Sequence, residues 1–180
     1  MKRILCSLLL LAVIPAIAAD YSVQPGSTLG FSGTFQGEAF NGEFKKFDAT
    51  ISYDPAKLAA SKFDVSIDIG SVATGDSDRD NALPGDEFFD TVKFPKAHFV
   101  SKAFRKDGDK VIADGTLTIK GISKPVSLEV GLTPSVDGAT LTVTTNLDRS
   151  DFSIGTGDYA DTSTIGAVVT VNGKLKLAAK

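Results

Sequence analysis

Residues 62–70 read KFDVSIDIG: Phe63, Val65, Ile67 and Ile69 alternate with Asp64, Ser66 and Asp68. In an extended chain successive side chains point to opposite faces, so a period of two gives one wet and one dry face. The same alternation runs outward in both directions. Upstream, Leu29, Phe31, Gly33 and Phe35 alternate with Ser32 and Thr34, and Phe47, Ala49, Ile51 and Tyr53 with Asp48, Thr50 and Ser52. Downstream it recurs at Leu117 and Ile119, at Val126, Leu128, Val130 and Leu132, and at Leu141, Val143 and Leu147. It closes with Ile165, Ala167, Val169 and Val171, which continue into Leu175 and Leu177. Turn signals stand between the runs: Gln36-Gly37, Asn41-Gly42, Asp54-Pro55, Asp107-Gly108, Lys120-Gly121, Asp137-Gly138 and Asn172-Gly173. Many strands joined by short turns predict an all-β antiparallel meander.

One stretch breaks the rhythm. Residues 70–95, GSVATGDSDRDNALPGDEFFDTVKFP, do not alternate and are punctuated by Gly70, Gly75, Pro84, Gly85 and Pro95. They are expected to form a long loop with short helical turns over Ser77–Leu83 and Asp86–Asp90. A long loop in a tight meander often covers an opening or carries function.

Residues 1–18 read as a secretory signal peptide: Lys2 and Arg3, an apolar run over Ile4 to Ile14, then Pro15 before Ala16-Ile17-Ala18. The apolar run is shorter than the ~20 residues that span a bilayer. Cleavage after Ala18, with Ala19 as an alternative, predicts an exported protein of one domain, residues 19–180; the compartment it reaches follows from the resemblance below. It removes the single Cys and the single Met. It leaves 17 basic against 22 acidic residues, a net charge of −5. That balance argues against a nucleic-acid partner, and one Cys and one His argue against a disulfide or a multi-His metal centre.

Eleven of the 12 Phe lie between residues 31 and 104. Phe40 and Phe44, with Gly37 and Gly42, face the Phe31/Phe35 strand, and Phe88 and Phe89 sit in the long loop. A closed barrel of about eight strands has an interior that side chains fill or that holds one small ligand. Phe walls would bind a hydrocarbon guest by apolar burial, worth ~25 cal/mol per Å².

The chain resembles the YceI family of periplasmic, lipocalin-like proteins over essentially all of residues 19–180. The resemblance opens with Tyr21-Ser22-Val23, Ser27, Phe31 and Gly42-x-Phe44-x-x-Phe47. In the loop it rests on Ser71-Val72-Ala73-Thr74-Gly75, Arg79-Asp80, Leu83, Phe88-Phe89-Asp90 and Phe94-Pro95-x-Ala97-x-Phe99. It continues through Gly115 to Val126 and ends on Arg149-Ser150-Asp151-Phe152-Ser153-Ile154-Gly155. Ser153 stands where many members have Gly, and the hairpin at Phe35-Gln36-Gly37-Glu38 is shorter and richer in glycine than the common pattern.

The resemblance implies an extended antiparallel barrel of about eight strands around a long apolar tunnel. It also implies a polyisoprenoid ligand, such as an isoprenoid quinone or a prenyl phosphate; amide-type lipids are another option. The wall candidates are Phe31, Phe35, Phe40, Phe44, Phe88, Phe89, Phe99, Leu117, Phe152 and Ile154. Arg79, Asp80 and Arg149 are candidates for a polar head at the mouth, or for a structural pair that holds the loop to the barrel.

Other chemistry finds less support. Asp76-x-Asp78-x-Asp80 with Glu87 has calcium-loop spacing, but Asn81 replaces the turn glycine and Pro84 and Gly85 interrupt the second half. A Ser-His-Asp hydrolase would have to use His98, and there is no G-x-S-x-G elbow. The expected function is therefore a non-enzymatic carrier without metal or catalytic residues. It would hold a long isoprenoid lipid and touch the membrane transiently. Its oligomeric state stays open, with a homodimer as one option. The alternatives are an enzyme acting on a lipophilic substrate in the same barrel and a stress-related interaction module.

Overall fold

The computed structural model describes residues 19–136 and 138–180; the expected signal peptide, residues 1–18, lies outside the described residues. Eleven strands follow one another: β1 Ala19–Val23, β2 Thr28–Phe35, β3 Glu38–Phe44, β4 Phe47–Tyr53, β5 Lys62–Asp68, β6 Val72–Ala73, β7 Lys96–Asp107, β8 Lys110–Ile119, β9 Ile122–Ser135, β10 Gly138–Asp148 and β11 Val168–Ala179. Among the described residues one short α-helix, α1, spans Ser77–Ala82. The strands β1-β4-β5-β7-β8-β9-β10-β11 pair in that order, every pair antiparallel, and β11 returns to β1. The result is a closed eight-strand barrel, as the sequence predicts.

Closure uses β11 twice. Its residues Leu177–Ala179 pair with β1, and Thr170–Lys174 pair with β2. β2 then pairs with β3, and β3 with β6. The β1/β2 edge is therefore one bent strand interrupted at Gln24–Ser27, and β3/β4 is another, bent at Lys45–Lys46. Below these bends the wall is complete. Above them the β2–β3 hairpin flares away, and the segment between β6 and β7 fills the gap. We call the end with the Gln36–Gly37 and Lys120–Gly121 turns the upper end, and the end with the Gly108 turn the lower end.

The inward set is the one the alternation picks out. Ile51, Tyr53, Phe63, Phe99, Leu141, Leu175 and Leu177 form the main buried cluster. At its lower end the Tyr53, Phe63 and Phe104 rings pack mutually, with centroids 4.9 to 5.8 Å apart and Phe63 edge-on to Phe104. Phe104 turns inward because the β7–β8 register shifts between Ser101 and Ala103, a bulge that re-aims the strand.

Two expected turns are not turns. Asn41-Gly42 lies within β3 and Asn172-Gly173 within β11. In each case glycine is present because a neighbour takes the place of its side chain. A Cβ on Gly42 would run into the Phe31 ring, and one on Gly173 would meet Val143. The Gln36-Gly37 and Lys120-Gly121 signals are genuine hairpin turns, with both residues of each pair at positive φ. In the long segment the helix expected over Ser77–Leu83 is α1. Asp86–Asp90 is instead a run of turns ending on Asp90 at φ 47°, a left-handed backbone no helix tolerates.

Candidate functional site

Two segments close the upper end. The first runs from β6 to β7 and carries α1, whose N-cap carboxylate, Asp76, accepts from the Arg79 amide at 2.9 Å. The second runs from β10 to β11, with short helical turns at Arg149–Phe152 and Gly157–Tyr159. They clasp each other through backbone carbonyls. The Glu87 carbonyl accepts from the Gly155 and Thr156 amides at 2.8 and 2.9 Å. Lys120 Nζ, held out by the upper turn, donates to the Asp86 and Ser153 carbonyls at 2.6 and 2.9 Å. Phe88 packs at a tilt of 50° against Tyr159, their ring centroids 4.7 Å apart.

Beneath these lids lies a cavity of about 110 Å³. Of the predicted wall residues, Phe31, Phe40, Phe44, Phe88, Phe89, Phe152 and Ile154 line it. The rings form a chain: Phe31 contacts Phe40 at 6.4 Å and Phe44 at 5.4 Å, and Phe44 contacts Phe89 at 6.1 Å. Phe88 and Phe89 are buried together with Leu83 and Ile69, so the loop has a small core of its own. Above it a vestibule of about 340 Å³ is lined by Phe35, Asp76, Asp78, Arg79 and Tyr159. Phe35, another wall candidate, sits at this rim and is 38% exposed.

Phe99 and Leu117 are placed differently. They pair across β7 and β8, and both belong to the packed cluster rather than the cavity wall. The Phe99 ring covers the bare face of Gly115 and fills its stretch of the barrel. The lower half is occupied by its own side chains, so the continuous tunnel implied by the resemblance is here an upper cavity and a vestibule. Sequence reading passed over Leu83, Ile119, Leu147, Ile165, Val169 and Val171, which also line the cavity. Five of these, all but Leu83, stood in the alternating runs and their inward parity was readable; attention to Phe alone hid them.

The three polar candidates do three different jobs. Arg149 borders the cavity but is only 5% exposed. Its guanidinium donates to the carbonyls of Ile154 and Gly155 at 2.8 Å each and of Ile165 at 2.9 Å, and its Nε to Gly166 at 3.2 Å. It therefore staples the second lid from within. Burial pushes this guanidinium below its ordinary value, an effect the nearby Asp148 opposes. Asp80 accepts from the Thr74 amide and hydroxyl, both at 2.7 Å, and anchors α1 to β6. The Thr74 hydroxyl is the main reason its carboxyl is held below the usual range. Arg79 alone faces the vestibule. Its guanidinium lies 4.4 Å over the Phe40 ring and 3.9 Å from Asp76.

The remaining chemistry is dispersed. Among the described residues no three His, Cys, Asp or Glu side chains converge to hold a metal ion. His98 Nε2 meets Asp64 at 2.7 Å on the exposed outer wall, and no hydroxyl bonds to it among the described residues. No helix among the described residues is long and apolar enough to cross a membrane.

The YceI-like domain profile matches residues 21–177. The chain belongs to the YceI family. It is similar to Protein YceI of Escherichia coli O157:H7, with 37% identity over 127 residues, 65% of this chain and 63% of that protein. The chain thus matches a little under two thirds of the length of this curated relative. Burkholderia cenocepacia BcnA superposes with a TM-score of 0.82 at 31% identity, covering 87% of this chain and 99% of that one. A polyisoprenoid binding domain from Saccharophagus degradans, implicated in plant cell wall breakdown, shares the fold at a TM-score of 0.67 and 17% identity, over 92% and 100% of the two chains.

Proposed function

We propose that this YceI protein is an exported, periplasmic carrier that holds a long isoprenoid-type lipid, an isoprenoid quinone or a polyprenyl chain such as a polyprenyl phosphate, and catalyses nothing. The observation that carries this reading is the upper cavity. Its side chains are aromatic and aliphatic, and its one charged neighbour, Arg149, is spent on carbonyls. Such a space offers burial and no reactive group. The polyisoprenoid binding domain of Saccharophagus degradans supports an isoprenoid as the guest. Residues 1–18 support export. Phe35 at the rim, with Val92 93% exposed on the first lid and Val168 57% exposed at the start of β11, supports transient contact with a membrane.

The cavity itself is smaller than the ~150 Å³ engineered void that takes one benzene. A long chain must therefore extend into the vestibule, whose size falls within the ~300–1,000 Å³ typical of small-molecule sites. The filled lower half favours a second reading, an interaction module whose cavity is incidental. Native mass spectrometry and organic extraction of protein taken from a bacterial periplasm separate the two. The carrier predicts a co-purified lipid or uptake of added quinone, and the interaction module predicts neither.

A further inference from the structure

The cavity and the vestibule share a partition. Phe40, Leu83, Phe88 and Ile165 border both spaces. Leu83 and Phe88 are fixed in the buried core of the first lid. Phe40 is held differently. It stands on β3 of the flared hairpin, half-buried, with its ring tip resting on the bare inward face of Gly33, where a Cβ would lie 3.1 Å from Cζ. No side chain at residue 33 locks the ring from that side. Phe31 meets the ring edge-on at 6.4 Å, and on the vestibule side the ring is restrained by the Arg79 guanidinium, 4.4 Å from its centre. Arg79 is itself oriented by Asp76, the N-cap of α1.

We infer that Phe40 is the gate between vestibule and cavity and that Arg79, through its stack on the ring, is the latch. This rests on the carrier reading and adds to it how the guest gains access. With the ring in place the cavity, of about 110 Å³, is partitioned from the vestibule at this point. With the ring swung aside, vestibule and cavity become one continuous channel, charged at its rim by Asp76, Asp78 and Arg79 and apolar within. Arg79 is thus a positioning residue that acts through Phe40 and does not grip a head group. A planar guanidinium suits this role because it lies flat on an aromatic face, whereas an ammonium does so poorly.

The test is stopped-flow uptake of N-phenyl-1-naphthylamine, an uncharged apolar dye, by the mature protein and by Arg79→Gln, Arg79→Lys and Phe40→Ala. Loosening the stack in Arg79→Gln should speed uptake about five- to thirty-fold, the factor a partly desolvated cation–π contact represents. Arg79→Lys should fall between, and Phe40→Ala should be as fast or faster. Dye release should speed up in parallel, so the equilibrium affinity of the Arg79 variants moves far less than their rates. A purely structural role for Arg79 would lower the melting temperature without this pattern. Uptake by Phe40→Ala but not by the unaltered protein would also support the gate. Uptake by all four proteins at rates within about twofold would overturn the gate and leave the carrier standing. No uptake by any of them would overturn both.

Discussion

The lower and upper halves of this barrel share the long strands β8 to β11 and follow the same alternation, yet one is solid and the other hollow. In the lower half Phe63 is 1% exposed and Leu141 0%, and the Tyr53, Phe63 and Phe104 rings interlock across the barrel axis. In the upper half Phe31, Phe40 and Phe44 are only half-buried and line a void. The difference lies in cross-strand partners. Phe31 pairs with Gly42 and Phe40 with Gly33 across β2 and β3, so each ring folds flat over a bare glycine and hugs the wall. Tyr53, Phe63 and Phe104 are paired instead with Ala19, Ile51 and Ala113 and meet in the middle. Backbone strain follows the same division. The non-glycine residues at positive φ, Gln36, Asp90, Lys120 and Ser153, all sit at the upper end, where lids and turns surround the cavity.

The sharpest break with this contrast would come from truncating one ring in each half. Phe63→Ala should cost about 3–5 kcal/mol, because it opens a void in a close-packed region. Phe44→Ala, which only enlarges an existing cavity, should cost under ~2 kcal/mol and should not weaken uptake of an apolar dye. Urea unfolding of the two variants checks this. Equal costs would mean that the upper cavity is as tightly packed as the lower core.

A step down in size is the staple. Arg149→Met keeps much of the volume but leaves the buried Gly155 carbonyl and the part-buried carbonyls of Ile154, Ile165 and Gly166 without their donor. Unpaired buried carbonyls are costly, and a loss of about 2–4 kcal/mol is expected. Amide exchange should accelerate first in the second lid, at Ile154 and Gly155, and last in β10 and β11 below it. Uniform acceleration would mean that the lid does not open independently of the barrel.

How much of this was legible beforehand depends on which interactions are local. The strands and their inward parity were readable, since a period of two at Phe63–Ile69 or Leu175–Leu177 needs no knowledge of partners; closure of the meander into a barrel was implied by the family resemblance. The turns were readable where the Gly ends a strand, as at Gly37 and Gly121. They were misread at Gly42 and Gly173, because a Gly facing a ring on the next strand looks identical in sequence to a Gly in a bend. The site was half legible. Phe31, Phe40, Phe44, Phe88 and Phe89 do converge, but Phe99 and Leu117 fill the core, a matter of height along the barrel that alternation does not encode. The separate tasks of Arg79, Asp80 and Arg149 are set by carbonyls and rings far away in sequence.

Smaller again is the strain at Ser153, which sits at φ 53° and ψ 41° at the end of the Arg149–Phe152 turn. Its amide donates to the Ser150 carbonyl and its own carbonyl accepts from Lys120. Glycine, common at this position in the family pattern, adopts that backbone freely. A non-glycine residue there costs ~1–2 kcal/mol, and glycine gives back about 0.5–1 kcal/mol through the unfolded chain. Ser153→Gly should therefore stabilise by about 0.5–1 kcal/mol in urea unfolding, with dye uptake unchanged. A loss of stability would place the Ser hydroxyl, not the backbone, in charge of that turn.

The smallest expected effect is acidic and local. Asp80, Asp148 and Asp161 accept from the amides of Thr74, Ser150 and Ser163 at 2.7, 2.9 and 2.8 Å, all in the upper lids. Each carboxyl is held below its ordinary value, mainly by the Thr74 hydroxyl, the Ser150 hydroxyl and the Ser163 amide respectively. A depressed carboxyl contributes stability that is complete above its unfolded value, near pH ~4, and fades as pH falls through the lower folded value. Protection of these three amides, corrected for intrinsic exchange, should hold constant from pH 8 to 5 and decline only below about pH 4. Amides of Ile51 and Leu141, far from such carboxylates in the packed lower core, should keep their protection through the same range. Asp114 is the informative exception. It is depressed by Ser127 and Arg105 on the barrel wall, so acid should loosen that patch without touching the rings inside. If Ile51 and Leu141 lost protection together with Thr74, the lids and the lower core would be one cooperative unit. The upper end would then have no freedom to open on its own.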